Sequence, residues 1–124
     1  MSWGGELFCA VKNNQLNVVK RLLECNEIGV NVKDRYGNTA LIWASYGGHL
    51  DVVKRLLKCN EIDVNSKNNS KLTALMWASV NGHVSVVYML LRCGRINRYL
   101  ENGYEHTARD LALHHENDDV LNLF

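Results

Sequence analysis

Apolar residues recur along the chain in two alternating groupings. Leu50, Val53, Leu56 and Leu57 fall at i, i+3, i+6 and i+7, one stripe of a 3.6-residue period, which predicts an amphipathic helix from about Leu50 to Cys59. Asp51 in its first turn and Lys54, Arg55 and Lys58 towards its end suit the helix dipole. Before it, Ala40, Leu41, Trp43 and Ala44 form a shorter apolar group that Thr39 can cap and Gly47-Gly48 can end. A polar connector, Asn60 to Asn69, leads to the next threonine. A helix of two turns is marginal alone, so each such unit must bury its apolar side on a neighbour.

The unit repeats. Thr39 to Ser45 (TALIWAS) returns 34 residues later as Thr73 to Ser79 (TALMWAS), with Val52-Val53 over Val86-Val87, Leu56-Leu57 over Leu90-Leu91 and Gly48-His49 over Gly82-His83. The same offset reaches back to Ala10, Val18-Val19 and Leu22-Leu23, and forward to Thr107-Ala108, Leu111-Ala112 and Val120. A fixed period of this size marks a stacked-repeat architecture, which presents a long open surface and seldom a closed pocket. The small residues Ala10, Ala44, Ala78 and Ala112 are placed for close helix approach.

Composition narrows the function classes. The 124 residues are 47% hydrophobic and 22% charged, with 14 basic against 13 acidic residues and a net charge of +1. That balance makes no electrostatic case for nucleic acid or an anionic membrane. No apolar run approaches the ~18 residues a membrane span needs, and no secretory leader is visible from Met1 to Glu6. Cys25, Cys59 and Cys93 hold equivalent places in successive repeats, so stacking separates them by about 10 Å, too far for disulfides or a shared zinc. Cys9 falls in register with Trp43 and Trp77 and is expected to pack. The expectation is a reduced, intracellular and cytoplasmic monomer, with the nucleus left open.

The pattern resembles the ankyrin repeat. Gly37 to Ser45 (GNTALIWAS), then Gly48-His49, Val52-Val53, Leu56-Leu57 and Asp63-Val64-Asn65 follow the family's run of Gly-x-Thr-Pro-Leu-His-x-Ala-Ala, Gly-His, Val-Val-x-x-Leu-Leu and Asp-Val-Asn. The third repeat matches through Thr73 to Ser79, Gly82-His83, Val86-Val87 and Leu90-Leu91. Departures are Ala40, Ala74 and Ala108 for the proline, and Ile42, Met76 and Asp110 for the histidine. Lys71 and Glu105 stand where Gly37 serves the loop, which questions the shape of the later two hairpins. The resemblance implies an all-α solenoid: one domain over 1–124, four helix-turn-helix units (about 5–33, 34–67, 68–101 and 102–124) with extended hairpin-like connecting loops. The first and last units are expected to act as caps, although a boundary cut from a longer array would look the same.

The family's usual role implies a module that binds other proteins through loop tips and first helices, without a cofactor, metal or small-molecule substrate. Mapped here, the candidates are Arg35, Tyr36, Asn38, Tyr46, Asn69, Leu72, Val80, Asn81, Tyr104, His106 and His114. Tyrosine and arginine are favoured at hot spots, and apolar Leu72 and Val80 are expected to be exposed. Trp43 and Trp77 are read as inter-repeat packing, with partial display on the binding face as the alternative. Asn65 follows a loop sequence like the one ankyrin asparaginyl hydroxylases accept. A small free-standing inhibitor of a partner is the second reading. A metal-dependent enzyme built on His106, His114, His115, Glu105 and Glu116 is a remote third, because adjacent His114 and His115 diverge by about 100° on a helix. Those histidines are the better candidates for pH-sensitive binding. Arg92, Arg95 and Arg98 are read as serving helix C-termini. No phosphate loop, nucleophile elbow or Ser/His/Asp group is present, so the chain is read as a non-enzyme.

Overall fold

In the computed structural model, residues 3–25 and 29–124 are described; Met1 and Ser2, in the segment examined for a leader, lie outside them. Among the described residues, eight helices follow in pairs: α1 (Trp3–Lys12), α2 (Leu16–Glu24), α3 (Ala40–Gly47), α4 (Leu50–Leu57), α5 (Ala74–Val80), α6 (Val84–Arg92), α7 (Ala108–His114) and α8 (Asp118–Leu121). The first helices pack in one row, α1 on α3 on α5 on α7, and the second helices in another, α2 on α4 on α6 on α8. Among the described residues there is no strand. α4 ends at Leu57, short of the expected Cys59.

Local chemistry sets the helix ends. Thr39, Thr73 and Thr107 accept at their side chains from the amides of Ile42, Met76 and Asp110. Asp110, in place of the expected histidine, returns a bond to the Thr107 amide (2.9 Å) and completes a capping box. Each pair turns through a left-handed residue: Asn14, Gly48, Gly82 and Glu116, with φ of 55°, 70°, 70° and 55°. The end repeats thus make the turn without glycine, at a steric cost glycine avoids.

The core runs the length of the stack. Leu7, Val11, Val19, Leu41, Val52, Val53, Leu56, Met76, Val86, Val87, Leu90 and Val120 are fully buried. Ala10, Ala44, Ala78 and Ala112 are buried as the period requires. Cys9 is not: it is exposed, with Asn13 Nδ2 bonded to its carbonyl (2.9 Å).

One acidic or amide side chain shapes each connecting loop. Asp34 Oδ1 accepts from the amides of Tyr36 and Asn38, Asn68 Oδ1 from Ser70 and Leu72, and Asn102 Oδ1 from Tyr104 and His106. The three hairpins share one shape, with Gly37, Lys71 and Glu105 at φ of 79°, 62° and 63°. The loss of glycine therefore leaves the later hairpins intact.

Candidate partner-binding face

The loops and first helices bring most of the expected residues to one side of the stack. Arg35 and Tyr36 form the exposed tip of the first described hairpin, with Arg35 Nη2 2.8 Å from Tyr36 Oη. Tyr104, at 83% exposure, stands at the tip of the third. Asn69 is exposed yet committed: its amide nitrogen reaches Arg35 O (3.1 Å) and its main-chain nitrogen Tyr36 O (2.9 Å). Asn81 likewise donates to Tyr46 O (3.0 Å). Asn38 is half-buried and accepts from Asn68 Nδ2 (2.9 Å). These asparagines tie neighbouring repeats together, which holds the face rigid.

Two expected exposures do not occur. Leu72 is half-buried against the core, and Val80 is half-buried on α5. The hairpin that Asn68 closes turns Leu72 inward, since its amide is held by the Asn68 side chain (3.0 Å). His106 and His114 come together, ring centroids 5.0 Å apart. Among the described residues, no three of His, Cys, Asp and Glu gather as a metal group.

Trp43 and Trp77 combine the two readings, packing against the core while staying partly displayed. Both are half-exposed, and with Tyr46 they form a row. Tyr46 stands 5.9 Å from Trp43 and 4.8 Å from Trp77, at interplanar angles of 79° and 80°. With Asn38 and Ile42 they line a half-open, mostly apolar cavity of about 240 Å³. Trp43 Nε1 donates to Asp34 Oδ2 (2.9 Å). Lys12 brings its ammonium to 4.2 Å from the Trp43 ring centroid. The clue in the sequence was Tyr46, a large aromatic three residues after Trp43 and so on the same helix face.

The remaining sequence candidates serve the scaffold. Arg95 donates to Asn60 O (3.1 Å), Ile62 O (3.2 Å) and Leu57 O (3.3 Å), satisfying carbonyls where the preceding α4 ends. Arg98 reaches Phe124 O (3.2 Å) and Arg92 lies over Tyr88. Asn65 spends its whole amide between repeats, donating to Arg95 O (2.9 Å) and accepting from Asn97 N (2.7 Å). His49 and His83 turn back to Lys12 O and Tyr46 O of the preceding repeat.

Comparison with known proteins agrees with this architecture. Residues 7–100 match the family described as ankyrin repeats, in 3 copies, and α7 and α8 continue the stack beyond them. A 40-residue stretch is 48% identical to osteoclast-stimulating factor 1 of Gallus gallus, covering 32% of this chain and 19% of that protein. The chain thus spans a minor part of that relative's length. No helix among the described residues is long and apolar enough to cross a membrane.

Proposed function

The chain belongs to the ankyrin-repeat family, whose repeats are in general protein-interaction modules, and from that premise we propose that it docks a segment of a partner protein on its first-helix face and loop tips. The half-open apolar cavity at Trp43, Tyr46 and Trp77 carries this reading, because it offers desolvated aromatic surface on a face already fixed by inter-repeat bonds. Arg35, Tyr36 and Tyr104 supply further anchors at the tips, and His106 and His114 extend the face into the last repeat. The four repeats act as one module over 1–124. Four free cysteines support a reducing compartment. Hydroxylation of Asn65 would require its loop to open, since both amide atoms are engaged. The proposal gives the chain no chemistry of its own.

Affinity capture with the wild type and with a Tyr36→Ala/Tyr46→Ala variant tests it. Loss of the captured partners is expected. Retention of the same partners would place the docking surface elsewhere.

A further inference from the structure

The cavity between the second and third repeats has a chemistry more specific than apolar area. Its aromatic walls stand nearly at right angles, Tyr46 at 79° to Trp43 and 80° to Trp77, with Ile42 completing the wall. Aromatic faces carry negative quadrupole density and attract cations within about 6 Å of the ring centroid. The chain itself shows the preference, since Lys12 holds its ammonium 4.2 Å over Trp43. Lys12 belongs to the first repeat, whereas the cavity is lined from the second and third, so that contact leaves the cavity open. Asp34, hydrogen-bonded to the Trp43 indole, increases that ring's electron density and offsets the Lys12 charge.

The lining decides which cation fits. An ammonium needs acceptors for three N–H groups and a guanidinium for five. Among the described residues the lining holds no carboxylate, and its side-chain acceptors are the Tyr46 hydroxyl and Asn38 Oδ1, the latter already accepting from Asn68, which leaves no charged partner for an N–H cation. A quaternary ammonium has no N–H to satisfy, and its methyl groups favour apolar contact. At about 240 Å³ the cavity is below the roughly 300 Å³ at which small-molecule pockets begin, a size for one side-chain head.

We propose that Trp43, Tyr46 and Trp77 form an aromatic cage for the quaternary ammonium of a trimethylated lysine on the partner protein. This rests on the docking reading above and names what the partner inserts. The stem of that lysine enters through the open side of the cavity, and Trp43 and Trp77 clasp its head from successive repeats. Tyr46 is the specificity-determining residue, because the first-repeat residue in its register is Lys12, which would repel a cation.

Titration with capped Nε-trimethyllysine, followed by the indole N–H signals of the full chain, tests the cage. Two controls accompany it: capped lysine, and the neutral isostere with carbon in place of the quaternary nitrogen. Trimethyllysine is expected to bind about tenfold tighter than either. Trp43→Phe keeps a ring and most of the binding, while Trp43→Leu and Tyr46→Leu lose it; both Trp43 variants give up the bond to Asp34, so the comparison between them separates the ring from the loss of stability. Equal affinity for the neutral isostere would overturn the cage, and so would equal binding by Trp43→Phe and Trp43→Leu. Choline binding tighter than capped trimethyllysine would overturn the assignment to a protein side chain. Absence of trimethyllysine binding, with partner capture still lost in Tyr36→Ala/Tyr46→Ala, sinks the cage and leaves the docking face standing.

Discussion

Trp43 Nε1 lies 2.9 Å from Asp34 Oδ2, while Asp34 Oδ1 accepts from the amides of Tyr36 and Asn38. One carboxylate therefore shapes the hairpin and fixes an indole on the proposed docking face. In the next repeat Asn68 performs the first task without the second, holding Ser70 and Leu72 and turning its amide nitrogen to Asn38.

That contrast makes Asp34→Asn a clean substitution. The hairpin should persist, as it does around Asn68, and the charged bond to Trp43 should be lost at a cost of about 1 kcal/mol at pH 7. Burial raises the Asp34 carboxyl, but the bond from Trp43, the amides of Asn38 and Tyr36 and the Lys12 charge outweigh it and hold it below the usual 3.8. The unfolded chain then takes up the proton first as pH falls. The stabilisation is complete above the unfolded value and disappears as pH falls through the lower, folded one. Urea unfolding should show the wild type's advantage over Asp34→Asn narrowing on acidification from pH 7 towards and below the ordinary carboxylate range. A gap independent of pH would contradict this account.

Gly37 and Lys71 share a left-handed conformation but differ in what faces them. A Cβ at Gly37 would meet Asn69 Oδ1 at 2.5 Å and the Asn69 main-chain nitrogen at 2.8 Å. Asn69 is that close because it bonds back to Arg35 and Tyr36. In register with Asn69, the residue facing Lys71 is Gly103, which has no side chain to bring across; even a Cβ built there would meet Lys71 Cδ only at 3.9 Å. Gly37→Ala should cost about 2 kcal/mol or more, from the conformation and the clash together. Lys71→Gly should gain about 0.5 kcal/mol, the relief of strain exceeding the added freedom of the unfolded chain. Thermal unfolding of both variants checks the opposite signs.

Ser45 and Ser79 are equivalent by register and both fully buried, yet their hydroxyls fare differently. Ser79 Oγ donates to Leu75 O at 2.7 Å, whereas Ser45 Oγ has no partner. A buried unpaired hydroxyl costs about 1–3 kcal/mol, and a satisfied one contributes about 1 kcal/mol. Ser45→Ala should therefore stabilise the fold by about 1 kcal/mol and Ser79→Ala should destabilise it by a similar amount. Denaturant midpoints that shift in the same direction for both would refute the distinction.

Much of the scaffold was legible because burial follows the 34-residue echo: the alanines, paired valines and threonine caps all sit where the period places them. The exposure of Arg35, Tyr36 and Tyr46, residues that break the echo and belong to the proposed docking face, was also legible. The same logic was incomplete for Trp43 and Trp77, which pack against the core as expected and are partly displayed as well. A recurring residue can serve the stack through one edge and still leave a ring face open, and periodicity does not separate the two. It failed for Leu72, whose inward turn depends on an Asn68 side-chain bond that apolar patterning does not register. Cys9 shows a third limit, since a small residue in the register of a tryptophan need not share its burial.

The turn between helices offers the most direct test of register as a physical rule. His83 Nε2 lies 2.9 Å from Tyr46 O, and Asn117, in the same register one repeat later, donates to Ser79 O (2.7 Å) and Val80 O (2.9 Å). Two different side chains thus reach the same place on the preceding repeat, where first-helix carbonyls are left over at a helix end. If the requirement is a donor at that distance, His83→Asn should retain stability within about 0.5 kcal/mol, while His83→Leu should lose about 1 kcal/mol or more by leaving Tyr46 O without that bond. The Tyr46 main chain is held by Asn81 as well, at 3.0 Å, so the loss should deepen in His83→Leu/Asn81→Ala beyond the sum of the two single changes. Additive losses would mean that each bond forms without help from the other. Equal losses for His83→Asn and His83→Leu would mean that the imidazole ring's packing, and not its hydrogen bond, is what the turn requires.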